Sequence, residues 1–157
     1  MRVRELLTLE RTHFNVQGVS KKRLLDQVAQ LVSASCSELT EQQVFDALVA
    51  RERLGSTGIG EGIAIPHCRL SHCQAPVGML LLLDQPIDFE SIDNKPVDLV
   101  FVLLVPEHNP EHHLKTLSHL AALFNEANFR QQLRDARSAE DLYKRATSSE
   151  EELRLAS

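Results

Sequence analysis

Two apolar runs constrain this chain most. Val77-Gly78-Met79-Leu80-Leu81-Leu82-Leu83 and Val97-Asp98-Leu99-Val100-Phe101-Val102-Leu103-Leu104-Val105 are almost unbroken. A strand with one face in water alternates apolar and polar residues, so runs like these read as strands covered on both faces. Both fall far short of the roughly 20 apolar residues that span a bilayer. The flanking segments supply the cover. Ser20 is an N-cap for a helix with Leu24, Leu25, Val28, Leu31 and Val32 at helical spacing, and Thr40 with Gln43 forms a capping box for a second, ending near Leu54-Gly55. Asn109 before Pro110 starts a third, with Leu114, Leu117, Leu120, Ala121 and Phe124 as its buried stripe. Shorter helices follow around Phe129 and Leu133 and from Ser138 through Tyr143. Helices on either side of buried strands predict an α/β protein, a three-layer α/β/α domain. Beyond Thr147 the chain is rich in Ser and Glu, so 148–157 reads as a frayed polar tail on a single domain, 1–147.

Composition excludes several classes. Seventeen Lys and Arg against 22 Asp and Glu give a net charge of −5, which argues against a nucleic-acid surface. The N-terminus has no apolar core of a secretory signal, and three cysteines without CxxC spacing make neither a disulfide framework nor a cysteine-rich zinc site. The expectation is a cytoplasmic protein with no membrane insertion.

The stretch Gly55 to Gly62 holds four of the chain's six glycines and must be a loop, followed by a short strand, Ile63 to Pro66, that delivers His67. A stiff entry through Pro66 beside a glycine loop can hold an imidazole at a surface while backbone amides face an anion. A turn histidine bonded to a carbonyl is the plain alternative. His113 falls within the edge of the apolar arc of the third helix, whereas His112 and His119 point away. It sits just past a buried strand, where α/β folds bind ligands and a helix N-terminus favours anions. A core-edge histidine is again the plain alternative. His108 and His112 are four apart, but the Asn109-Pro110 helix start leaves His108 outside the helix, and no HExxH is present. No metal and no cofactor are expected.

The run Arg51-Glu52-Arg53-Leu54-Gly55-Ser56-Thr57-Gly58-Ile59-Gly60, then Gly62-Ile63-Ala64-Ile65-Pro66-His67, resembles the active-site block of the fructose/mannitol-type enzyme IIA family of the bacterial phosphotransferase system. Asp93 to Leu99, Leu103 to Pro106, and His113-Leu114 with Thr116-Leu117-Ser118 extend the likeness in order, over roughly Leu6 to Tyr143. Ser20-Lys21-Lys22-Arg23 points to the nitrogen-regulatory branch. The resemblance implies a mixed, mostly parallel sheet between helices, and a phosphotransferase component acting as a stoichiometric phosphocarrier. It places the phosphorylated histidine at His67, acting through Nε2, with Arg51 and His113 as active-site partners. Ser56, Thr57, Gly58 and Gly60 are phosphate-loop candidates. One position departs: Cys68 stands where the family often has glycine.

The resemblance implies a phosphorylated HPr-like carrier as donor. It also implies protein targets, such as potassium-transport components or sensor kinases, bound according to phosphorylation state. An apolar rim including Ile59 and Leu70 is expected around His67. Two other readings stand beside this one: a sugar-specific IIA that hands phosphate to a IIB cysteine, and a binding module outside the system that takes up no phosphate.

Overall fold

The two apolar runs become the longest strands of one sheet, β5 (Val77–Ile87) and β6 (Val97–Pro106), paired antiparallel with Leu81 opposite Val100. The computed structural model describes residues 1–18 and 20–156, the last five by backbone alone. Strand β1 (Thr12–Val16) runs parallel to β5. On the far side of β6, β3 (Ile63–Ala64) and β4 (His67–Leu70) lie end to end and parallel to it, and β2 (Gly58–Gly60) pairs antiparallel with β3. Three of these five pairings are parallel, so the sheet is mixed as expected, although its longest pairing is antiparallel.

Alternation along β6 divides the interior in two. Val100, Val102 and Leu104 pack with α2 (Lys21–Ser35) and α3 (Glu41–Arg53) through Leu24, Val28, Val44 and Leu48. Leu99, Phe101, Leu103 and Val105 pack against the opposite layer. That layer is built from α1 (Val3–Leu6), α4 (Pro110–Phe124), α5 (Ala127–Arg134) and α6 (Ala139–Ala156). Phe124 links Phe101, 6.0 Å between ring centroids, to Phe129, 5.2 Å away and edge-on. This is the three-layer α/β/α arrangement. Among the described residues no helix is long and apolar enough to cross a membrane.

Local signals set the helix starts. Ser20 Oγ accepts from the Arg23 amide, Thr40 and Gln43 close their capping box, and Ser138 Oγ accepts from the Asp141 amide. Asn109 precedes Pro110 as expected, yet its side chain makes no cap; it takes the left-handed conformation (φ 60°) that asparagine tolerates.

Three expectations need correction. The strand leading to His67 does not end there. Pro66 has no N–H for the ladder, so pairing breaks at it, but its carbonyl accepts from the Leu103 amide (2.9 Å) and the strand resumes as β4. Leu114 is not in the buried stripe of α4: it is 66% exposed, and the buried face is His113, Thr116, Leu120, Leu123 and Phe124. The polar end of the chain is helical and not an extended tail. Helix α6 continues to Ala156, Ser157 lying outside the described residues, because Glu150 is a buried anchor. Only 2% exposed, it accepts the Val3 amide through both oxygens (2.9 and 3.1 Å) and a hydrogen bond from His119 Nε2 on α4 (3.0 Å).

Glu150→Ala would leave the Val3 amide without an acceptor at a dry junction of three helices. A loss of about 2 kcal/mol is expected in urea unfolding. A change inside about 0.5 kcal/mol, the range of ordinary surface substitutions, would mean that the helix end anchors nothing.

Candidate functional site

The site begins at the last turn of α3. Gly55, just past that helix, has φ 152°, and Arg51 Nη1 donates to its carbonyl (2.9 Å). The following loop is held by its own polar groups. Ser56 Oγ donates to the Phe89 carbonyl (2.7 Å) and accepts from the Gly58 amide (3.0 Å). The Thr57 amide and hydroxyl both donate to the Glu52 carboxylate, which also pairs with Lys21 Nζ (2.8 Å). Lys21 in turn lies over the Phe89 ring. Gly58 is required by close approach, since a Cβ there would collide with Ser91 Oγ.

Strand β4 supplies His67. Its Nδ1 lies 2.9 Å from the Ile65 carbonyl, and Arg51 Nε donates to its Nε2 at 3.2 Å. A carbonyl can only accept and a guanidinium can only donate, so the two partners select one tautomer: neutral imidazole, proton on Nδ1, lone pair on Nε2. Burial holds the ring's pKa below the ordinary histidine value, and the Arg51 charge adds to this. The Ile65 carbonyl and the Glu52 charge pull the other way.

Helix α4 supplies His113 from its first turn. It is 7% exposed and its Nδ1 has no hydrogen-bond partner among the described residues. Burial lowers its pKa first, followed by the charges of His112, Arg69 and His108. His112 is exposed, as the helical angles require. His119 lies off the buried face of α4, partly exposed and bonded to Glu150.

Arg51, His67 and His113 line one open cavity of about 690 Å³ between the C-terminal end of α3 and the N-terminal end of α4. Leu54, Arg69, Glu107 and Leu114 share its walls. Ser56, Thr57, Gly58 and Gly60 do not line it, and the Thr57 and Gly58 amides are already bonded. Gly58 and Gly60 pair in the β2–β3 hairpin, and the four loop candidates stand outside this cavity. The expected rim also differs. Leu70 is buried with the α2 and α3 side chains, whereas Leu54 (84% exposed) and Leu114 (66%) flank the cavity.

Arg69 was not singled out from sequence. The signal was its position two residues after His67, which on a strand means the same face. Cys68 between them packs on the α2 and α3 side, where it also borders the cavity; it is 7% exposed, and burial pushes its pKa up to about 12. Among the described residues no three His, Cys, Asp or Glu groups come together as metal ligands. The cavity presents two imidazoles, His67 and His113, beside the fixed positive charge of Arg51 and Arg69.

A mixed sheet between helix layers, with a hydrogen-bonded histidine–arginine pair at its edge, makes this a small α/β domain whose candidate site lies at the sheet edge. The chain belongs to the family described as the phosphoenolpyruvate-dependent sugar phosphotransferase system, EIIA 2, matching it over residues 5–148. It is 53% identical over 143 residues to a nitrogen regulatory protein of Pseudomonas aeruginosa, covering 91% of this chain and 93% of that one. A nitrogen regulatory protein of Escherichia coli is 42% identical over 151 residues, with 96% and 92% covered. The crystal structure of nitrogen regulatory protein IIA-Ntr from Neisseria meningitidis superposes with a TM-score of 0.85 at 39% identity, covering 91% of this chain and 97% of that one. The resemblance to the nitrogen-regulatory branch read from the motifs is therefore borne out.

Three histidines, His113 buried and His13 and His67 partly buried, make the fold sensitive to mild acid. His13, His67 and His113 all titrate below the ordinary value of 6.5, with burial the largest cause in each. The unfolded chain therefore binds more protons than the fold once pH drops below about 6.5, and stability declines from there down through the folded values. The lowered Glu5, Asp93 and Asp141 carboxyls add their losses only near pH 4 and below. Urea midpoints should fall between pH 7.5 and 5.5, and less steeply in His67→Gln. A flat or rising midpoint over that range would contradict the burial argument.

Proposed function

We propose that the protein is a phosphocarrier that accepts a phosphoryl group on His67 Nε2 from a phosphorylated HPr-like protein. In this reading it then binds other proteins according to whether the group is present. The observation that carries this reading is the tautomer: Nδ1–H is tied to the Ile65 carbonyl, and the Nε2 lone pair faces the cavity with Arg51 beside it. The lone pair attacks phosphorus in line. A new N–P bond forms, the donor's N–P bond breaks, and its electron pair returns to the donor's nitrogen. Such transfer needs little beyond positioning and charge stabilisation.

Arg51 has two tasks in sequence. At rest its Nε–H occupies the lone pair that must attack. As the phosphoryl oxygens arrive they compete for that donor, and the guanidinium transfers its hydrogen bond from ring nitrogen to oxygen. Its Nη1 stays on the Gly55 carbonyl, so the arm pivots about a fixed point. His113, buried with an unused Nδ1, offers a polar atom to the incoming group or to the ring.

Regulation follows from charge. The bare site is flanked by Leu54 and Leu114, a surface suited to an apolar partner. Phosphorylation adds about 1.5 to 2 negative charges at its centre, and a charge buried without a partner costs an interface several kcal/mol. Potassium-transport components and sensor kinases in the cytoplasm are the classes of target this reading favours. The nitrogen-regulatory relatives support it over sugar transport.

The test is incubation with a phosphoenolpyruvate-driven carrier cascade followed by intact-mass measurement under alkaline conditions. One phosphoryl group is expected on the wild-type chain and none on His67→Ala. Arg51→Ala and His113→Ala should slow uptake about 10²-fold, the cost of removing one charge-stabilising donor. His112→Ala, on the exposed face, should be neutral. Phosphorylation of His67→Ala at the wild-type level would sink the assignment.

A further inference from the structure

We propose that Arg69 is a second phosphoryl-binding arginine of the His67 site. This rests on His67 being the phosphoryl acceptor. Arg69 stands two residues along β4, on the face that carries His67: His67 lies opposite Leu103 and Arg69 opposite Val105, and all four line the same cavity. Side chains at this spacing are about 6–7 Å apart at their roots, a gap the long arginine stem spans. Among the described residues, the cavity-lining groups with permanent positive charge are Arg51 and Arg69.

The two arginines are not equivalent. Arg51 is committed twice, through Nε to His67 and through Nη1 to the Gly55 carbonyl. Arg69 is exposed, and its guanidinium has no hydrogen bond or ion pair among the described residues. Lys21, which approaches from α2, is taken up by Glu52. A group of nearly two negative charges with three acceptor oxygens exceeds what Arg51 alone can satisfy. Arg69 supplies the missing donors as a planar fork suited to phosphate oxygens. Its charge also reaches His113, whose proton affinity it lowers, which puts it within range of the site's other wall. Glu107 lines the cavity as the opposing charge and makes no ion pair with Arg69. In the bare state Arg69 is therefore a free cation at the mouth, and in the phosphorylated state it closes over the group.

The experiment measures phosphoryl uptake from two donors, a phosphorylated HPr-like carrier and the small molecule phosphoramidate, in wild type, Arg69→Gln and Arg69→Lys. Arg53→Gln, an exposed arginine outside the cavity, makes the same change in net charge. The phosphorus NMR titration of the phosphohistidine is recorded for each. Arg69→Gln should slow uptake at least about 10-fold from both donors, the scale of one charge-assisted hydrogen bond, and raise the pKa of the bound phosphoryl group. Arg69→Lys should restore most of the titration shift and only part of the rate, since it keeps the charge but not the fork. A loss confined to the protein donor, with the titration unmoved, would make Arg69 a docking contact and overturn the proposal. So would an Arg69→Gln that behaves like Arg53→Gln. If the wild-type chain takes phosphoryl from neither donor, the reading of His67 itself fails and the proposal falls with it.

Discussion

Everything in the site depends on the His67 ring being held between an acceptor and a donor that cannot exchange roles. The Ile65 carbonyl fixes the proton on one nitrogen and Arg51 meets the lone pair of the other. That geometry requires the backbone two residues upstream to be rigid, and Pro66 with the pairing of β3 and β4 onto β6 makes it so. It also requires the end of α3 to stay in place, which the Thr40–Gln43 capping box at one end and the Arg51–Gly55 contact at the other secure. The secondary structure thus serves to align two side chains, Arg51 and His67, that are 16 residues apart in the chain.

The sheet sets the stage through its two-sided burial. Because both faces of β6 are covered, a helix from each layer ends near the same strand edge, and the cavity forms in the gap between α3 and α4. The glycine-rich loop takes a supporting part. Glu52, the residue after Arg51, gathers Thr57 and Lys21 around its carboxylate and so locks the loop beneath the arginine. A loop whose donors are used internally is a poor anion cradle and a good brace.

Much of this was legible because it follows from local rules. Two-sided strands, capping residues and the inward position of His113 come from periodicity and short-range hydrogen bonding, which a single sequence displays. The misses share a different cause: each depends on a partner distant in the chain. Leu114 fits an apolar stripe by angle, but the wall it would pack against is an open cavity. The Ser- and Glu-rich end looks like a tail until Glu150 is seen to meet Val3, 147 residues away. The loop amides suggest an anion site only while Ser56 and Glu52 are unknown as their acceptors. Arg69 is one of many exposed arginines until β4 exists and puts it on the His67 face.

The alternation of β4 has a chemical consequence as well as a packing one. His67 and Cys68 are adjacent in sequence, and both are nucleophiles by type. The strand sets the nitrogen at the cavity and packs the sulfur on the α2 and α3 side of the cavity wall, where burial pushes the thiol pKa up to about 12. At neutral pH the reactive thiolate is then on the order of one part in 10⁵, because thiolate and not thiol is the attacking species. An electrophile or an oxidant entering the cavity meets a lone pair on nitrogen and essentially no ionised sulfur. The peptide bond between the two residues separates two chemistries as an insulator separates two conductors, and the cysteine remains beside the histidine without competing with it.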